Sequence, residues 1–192
     1  MAKKESTFLN MFLSLFLVTL LSATILGFVY EMTKEPIAAA RAAKQMEALQ
    51  RVLPQFNNDP VKEMYKKPVD GDTLYFFPAR MDSVLVGTAV ETFSPKGFSG
   101  MIRLMVGFLP DGTIKDVAVL EHKETPGLGE KMVRSKSDWS TQFQGKNPKT
   151  FRLAVKKDGG DVDAITASTI SSRAFCDAVD RAYKNLMEGG AK

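Results

Sequence analysis

The chain is poor in the residues that staple small folds and bind metals, with one cysteine, Cys176, and one histidine, His122. A single cysteine excludes a disulfide within the chain, and one of each cannot supply the ligand set of a structural zinc or an iron–sulfur cluster. Charge of one sign is also missing: 26 basic and 22 acidic residues leave +4 without a long basic run, so nothing supports nucleic-acid binding. Internal repeats and low-complexity stretches are absent. One stretch lacks charge altogether, Phe8 to Tyr30, FLNMFLSLFLVTLLSATILGFVY. At about 1.5 Å per residue its 23 residues reach across a hydrocarbon core roughly 30 Å thick, which predicts one transmembrane helix. The basic start at Lys3 and Lys4 also fits a cleaved signal peptide, but the apolar stretch exceeds the usual ~7–15 residues and ends in no small-x-small site. Asn10, Ser14, Thr19, Ser22 and Thr24 either face partner helices or bond their own helix backbone. Lys34, Arg41 and Lys44 balance Lys3 and Lys4 across the span, so the positive-inside count leaves orientation open.

Residues 31–192 suit one domain with its own core. Pro36 at a first-turn position and Ile37, Ala40, Ala43, Met46, Leu49 and Leu53 at three- to four-residue spacing predict an amphipathic helix that continues to about residue 56. The stretch from Asn57 to Asp72 reads as an exposed connection. Strands are predicted at Thr73 to Pro78, Val84 to Thr92, Met101 to Leu109 and Thr113 to Glu121, with a further one at Phe151 to Lys156. Pro110-Asp111-Gly112 turns the third into the fourth. A short helix around Trp139 and Phe143 and a final helix from about Ser171 to Met187, closed by Gly189-Gly190, complete the set. The last helix turns Phe175, Val179, Ala182 and Leu186 inward, and Cys176 joins a core row with Val179, Tyr183 and Leu186. The fold class is α+β: a transmembrane helix, then a twisted antiparallel sheet packed by helices.

Two motifs carry the chemistry. The run Asp163-Ala164-Ile165-Thr166-Ala167-Ser168-Thr169-Ile170-Ser171 follows a Gly-rich turn and opens the final helix. Its hydroxyls therefore gather at a helix N-terminus, where free N–H groups and the dipole favour a phosphate. By itself the run is equally a helix start with a Ser or Thr N-cap. The second motif, His122-Lys123-Glu124-Thr125-Pro126-Gly127-Leu128-Gly129-Glu130-Lys131, is a turn-rich loop. Gly127 and Gly129 let the backbone approach a flat ring, Pro126 stiffens the turn and Leu128 offers apolar contact. Ser94-Pro95-Lys96-Gly97-Phe98-Ser99-Gly100 reads as a glycine turn.

Together the two motifs resemble those of the FMN-binding domain family. The run resembles its flavinylation motif, Asp-Ala-Ile-Thr-Gly-Ala-Thr-x-Ser/Thr, with Ala167 in place of glycine and Ser168 in place of alanine. The loop resembles its Glu-Thr-Pro-Gly-Leu-Gly element, and the glycine turn at 94–100 a third family element. The resemblance implies FMN bonded through its phosphate to the hydroxyl of Thr169, with Ser168 a minor competitor. It also implies cofactor contacts from Glu124, Thr125, Gly127, Leu128, Gly129, Asp163, Ala164, Ile165, Thr166, Ala167, Ser168 and Ser171. Neither a catalytic base nor a metal site is implied, and His122 is expected beside the flavin loop as a structural residue.

With the apolar helix and the chain length added, the sequence resembles the G subunits of Rnf-type ion-translocating oxidoreductase complexes. The C subunits of sodium-translocating NADH:quinone oxidoreductases share the motifs but are longer, and stay as the alternative. Either resemblance implies an electron-carrying subunit of an enzyme complex, a translocase that couples electron transfer to ion movement, without turnover of its own. The implied partners are other membrane and peripheral subunits, membrane lipid, and a flavin transferase that attaches FMN from FAD with a divalent cation. The implied layout is a cytoplasmic tail (1–7), a transmembrane helix (8–30), a connecting helix (31–56) and an FMN-binding domain (57–192) on the periplasmic side of a bacterial inner membrane. A membrane-anchored binding module without a redox role, or a stand-alone flavoprotein reductase, are the contrasting readings.

Overall fold

A computed structural model describes residues 7–189. Lys3 and Lys4 of the basic start, and Gly190 of the expected helix end, lie outside the described residues. The chain divides into two compact units, one through Ala43 and one from Lys44 onward.

Helix α1 spans Phe8–Val52. Its N-terminal part is apolar and exposed on every side, long and apolar enough to cross a membrane. The hydroxyls of Thr19 and Thr24 donate to the carbonyls of Leu15 and Leu20 at 2.9 and 2.8 Å, so they are satisfied within their own helix, the second of the two roles open to them. Pro36 does not open a second helix: α1 runs unbroken through it.

The second unit is built on a five-stranded antiparallel sheet in simple chain order. Its strands are β1 (Tyr65–Val69), β2 (Asp72–Met81), β3 (Val84–Gly97), β4 (Gly100–Phe108) and β5 (Ile114–Glu121). Two-residue turns close the first two hairpins, with positive φ at Asp70 and Gly71 (50° and 82°) and at Asp82 and Ser83 (49° and 73°). Such mirror-image turns match the twist of the strands they join. Strand β1 lies where the sequence predicts only an exposed connection, and the strand expected at Phe151 to Lys156 is absent: that segment makes one isolated bridge, Val155 with Val162.

Alternation along the strands builds two cores. Leu74, Phe76, Val90, Leu104, Val106 and Phe108 point to one face, where they meet Ala174, Phe175, Ala178, Val179 and Ala182 of α2 (Thr169–Gly189). Phe77, Ala79, Ala89, Met105 and Ala118 point to the other, against Ala48, Leu49 and Val52 of α1 and Leu53. At Gly107 of β4 a side chain is impossible, because a Cβ there would sit 1.9 Å from the Val52 carbonyl oxygen. Between β5 and α2 the chain is mostly irregular, with short 3-10 helices at Gly129–Met132, Trp139–Phe143 and Lys156–Asp158. Trp139, Phe143 and Phe175 pin it to α2, with ring centroids 5.0–5.6 Å apart.

Candidate functional site

The two motifs meet around Glu124. This carboxylate is 5% exposed. Its Oε1 accepts the Ser99 backbone N–H at 3.0 Å and its Oε2 accepts the Ser171 hydroxyl at 2.5 Å. One side chain thus joins the β3–β4 turn, the loop after β5 and the first turn of α2. Two glycines make room for it: a Cβ at Gly97 would lie 2.7 Å from Glu124 Oε1, and one at Gly129 would lie 2.7 Å from both Glu124 Cβ and Ser171 Oγ. His122 Nδ1 accepts the Glu124 N–H at 3.2 Å, which fixes the start of the loop.

The loop beyond Glu124 turns on Thr125, whose carbonyl accepts from Leu128 N–H and Glu130 N–H at 3.1 and 3.3 Å. Glu130 Oε2 accepts the Gly127 N–H at 3.3 Å, and the Glu130 carboxylate pairs with Lys136 at 3.1 Å. Those bonds, Lys136 first, hold the Glu130 carboxyl below its ordinary range. Gly127 has φ 74° and open space around it, and Thr125, Pro126 and Leu128 form the outer side of the turn, with Pro126 and Leu128 exposed.

The hydroxyl run is held at both ends. Asp163 N–H donates to Gln142 Oε1 at 2.8 Å, and its carbonyl accepts Trp139 Nε1–H at 2.6 Å and Gln142 Nε2–H at 3.2 Å. The Asp163 carboxylate pairs with Lys156 at 2.7 Å. Ile165 is buried, and its N–H donates to Ser172 Oγ at 2.9 Å. The chain then turns through Ala167, with φ 60°, so that Ser168 N–H reaches the Ile165 carbonyl at 2.9 Å. The left-handed conformation that glycine favours is therefore kept with alanine in place. Ser168 precedes the helix, and its carbonyl accepts both Ser172 N–H and Ser172 Oγ–H, at 3.1 and 3.0 Å.

Thr169 is the first residue of α2, two positions earlier than the helix start expected from the sequence, and it is half-buried. The N–H groups of a first helical turn have no intrahelical acceptor. One turn on, Arg173 makes a two-pronged bond to Asp158 at 2.6 and 2.7 Å, which holds the Asp158 carboxyl below its ordinary range. Thr166 and Ala167 are exposed, Ala164 half-buried and Ser171 buried. Phe98, Leu128 and Ile170, one from each of the three segments tied to Glu124, are exposed apolar residues at 68%, 39% and 47%.

Sequence reasoning missed Gln142, Ser99 and Ser172. No local pattern marks Gln142 or Ser99, whose bonds cross 21 and 25 positions, whereas Ser172 extends the hydroxyl run by one and could have been read as its capping partner.

These residues suit a flavin phosphate and ring: a half-exposed hydroxyl at a helix start, an open glycine turn and exposed apolar side chains beside both. Residues 97–184 match the family model described as FMN-binding domain. The chain is 39% identical over 183 residues to the G subunit of the ion-translocating oxidoreductase complex of Haemophilus influenzae (strain PittEE), covering 91% of this chain and 87% of that one. Its identity to the protein of that name from Salmonella typhi is 40% over 169 residues, 84% and 82% of the two chains. For Erwinia tasmaniensis the figure is 41% over 158 residues, 78% and 75%. With its apolar N-terminal helix, five-stranded sheet and FMN-binding-domain match, the chain belongs to the family of G subunits of ion-translocating oxidoreductase complexes.

Proposed function

We propose that this chain carries FMN covalently, through a phosphoester on the Thr169 hydroxyl, as the electron-carrying subunit of a membrane complex that couples electron transfer to ion translocation. The observation that carries this reading is the Ser171–Glu124 hydrogen bond, which brings the run 163–171 against the loop 124–129. Thr169 acts as a tether rather than a base. The free N–H groups of the first turn of α2 face the phosphate charge, and the helix dipole adds to them. Gly127 leaves the loop backbone open to a flat ring, and Leu128 covers it with an apolar side chain. Glu124, Gly129 and Ser171 form the buried frame beneath, and Asp163, held by Gln142 and Trp139, fixes where the run begins. When bound, FMN accepts and donates electrons one at a time.

In the same reading residues 8–30 cross a bacterial inner membrane once. The N-terminus is cytoplasmic, residues 31–56 connect, and residues 57–192 hold the flavin on the periplasmic side. A flavin transferase loads the chain, and neighbouring subunits deliver and remove electrons, so the isolated chain does not turn over. The test is co-expression of the full chain with a flavin transferase. Wild type is expected to give a fluorescent band in a denaturing gel and a mass gain of one FMN less water. Thr169→Ala is expected to lose both while still inserting and folding. An unlabelled wild type under these conditions overturns the reading, and a persistent adduct in Thr169→Ala moves the attachment elsewhere.

A further inference from the structure

Glu124 is buried, and among the described residues its carboxylate oxygens meet the Ser99 N–H and the Ser171 hydroxyl rather than a cation. A carboxylate only accepts hydrogen bonds, so Ser171 must be the donor in their 2.5 Å contact. Ser171 is fully buried, and with its hydrogen committed it offers only lone pairs to its other neighbour, Ser168 Oγ, at 3.4 Å. The direction of the chain is then fixed: Ser168 donates to Ser171, and Ser171 donates to Glu124. The Thr169 hydroxyl, next in sequence and half-buried, has no hydrogen-bond partner among the described residues.

We propose that Glu124 is a positioning residue that selects the attachment hydroxyl: through Ser171 it turns the Ser168 hydroxyl inward and leaves Thr169 as the acceptor of the flavin phosphoryl group. This rests on the covalent attachment proposed above. In the transfer the Thr169 Oγ–P bond forms and the P–O bond joining the two phosphates of FAD breaks. AMP departs, the hydroxyl proton passes to water, and the flavin's oxidation state does not change. Ser168 is the one other run hydroxyl adjacent to Thr169, so a mechanism that disfavours it decides where the flavin goes.

The polarity of the chain can be reversed without changing its shape. In Glu124→Gln the amide oxygen still accepts the Ser99 N–H, while the NH2 donates to Ser171. The Ser171 hydrogen then turns toward Ser168, whose own hydrogen is released outward. The full-length chain in detergent would be incubated with FAD, Mg2+ and the transferase, and the labelled peptide mapped by mass spectrometry. In Glu124→Gln labelled Ser168 peptide is expected beside the labelled Thr169 peptide, so that the Ser168:Thr169 ratio becomes measurable where wild type yields the Thr169 peptide alone. Thr169→Ala/Ser171→Ala is expected to carry the flavin on Ser168, where Thr169→Ala alone carries none. Loss of stability alone lowers labelling but does not change its site. An unchanged ratio in Glu124→Gln, which keeps both bonds and so keeps the fold, overturns the proposal. An unlabelled wild type would instead overturn the attachment itself.

Discussion

Ala167 sits where its side chain is a liability. Its φ of 60° is the left-handed conformation, which costs a residue with a Cβ about 1–2 kcal/mol relative to the right-handed one. The turn is kept because Ser168 N–H bonds the Ile165 carbonyl and Ser172 ties both Ile165 and Ser168. Ala167→Gly is therefore expected to stabilise the chain by roughly 0.5–1 kcal/mol, the relief of strain being partly offset by glycine's greater freedom when unfolded. Differential scanning fluorimetry of the detergent-solubilised chain should read this as a thermal midpoint about 1–4 °C higher. Flavin attachment should be undiminished, since the backbone geometry already matches glycine's. Residue-scale chemistry was legible wherever it was local. The placing of Cys176 in the core follows from helical spacing, and in the structure burial pushes its thiol up to about 12. The Glu124–Ser171 bond was not legible, because 47 positions separate its partners and only the packing of three segments brings them together.

Among the elements, β5 is an edge strand, covered at its start by two backbone bonds between Ile114 and Gly145-Lys146 and further along by side chains. Lys44 and Arg51, seven positions apart on one face of α1, donate to the outward carbonyls of Leu120 and Val117. Arg51 also bonds the nearly buried Asp116 at 2.9 Å, and Asp116 accepts Gln144 Nε2–H at 2.9 Å. Asp116→Ala leaves both donors without their acceptor and is expected to destabilise the chain by about 2–3 kcal/mol, measurable as a lower denaturation midpoint with an unchanged slope. The same strands show where elements could be read. β2 to β5 alternate apolar and polar residues, or run apolar where both faces are covered, so their positions follow from pattern. β1 is hidden because Lys66, Lys67 and Pro68 blunt it as an edge, although Asp70-Gly71 beside it is a hairpin signal in plain view. Phe151 to Lys156 has strand composition but turns back tightly on residues 160–162, which bond its carbonyls and leave a single bridge, Val155 with Val162, while Phe151 and Leu153 pack on the core.

For the molecule as a whole, ionisation decides how stability depends on pH, and the signs do not all agree. Asp158 is held below its ordinary range by the Arg173 fork. At Asp177 burial pushes the carboxyl up, but bonds from Lys96 and Ser94 and the charge of Lys96 outweigh it, and the net direction is down. A carboxyl depressed by folding stabilises the native state above its unfolded value, and that contribution is lost as pH falls through the folded one. Stability should accordingly fall on acidification below about pH 4, where unfolded aspartates take up protons. Asp177→Asn should be less stable at neutral pH and show a shallower acid limb. Glu91 works in the opposite sense: burial raises it, more than the 2.8 Å bond from Gln45 lowers it. Its folded state holds the proton longer, so its contribution declines as pH rises past the ordinary glutamate value of about 4.3. Glu91→Gln keeps a partner for Gln45 and removes that decline, so it should raise the thermal midpoint at neutral pH and leave the value below about pH 4 unchanged. Thermal scans of the detergent-solubilised chain from about pH 3 to 8 would separate the two. A neutral-pH gain for Glu91→Gln beside a neutral-pH loss for Asp177→Asn is the expected pattern. Parallel shifts of both variants at every pH would show that neither carboxylate acts through its charge.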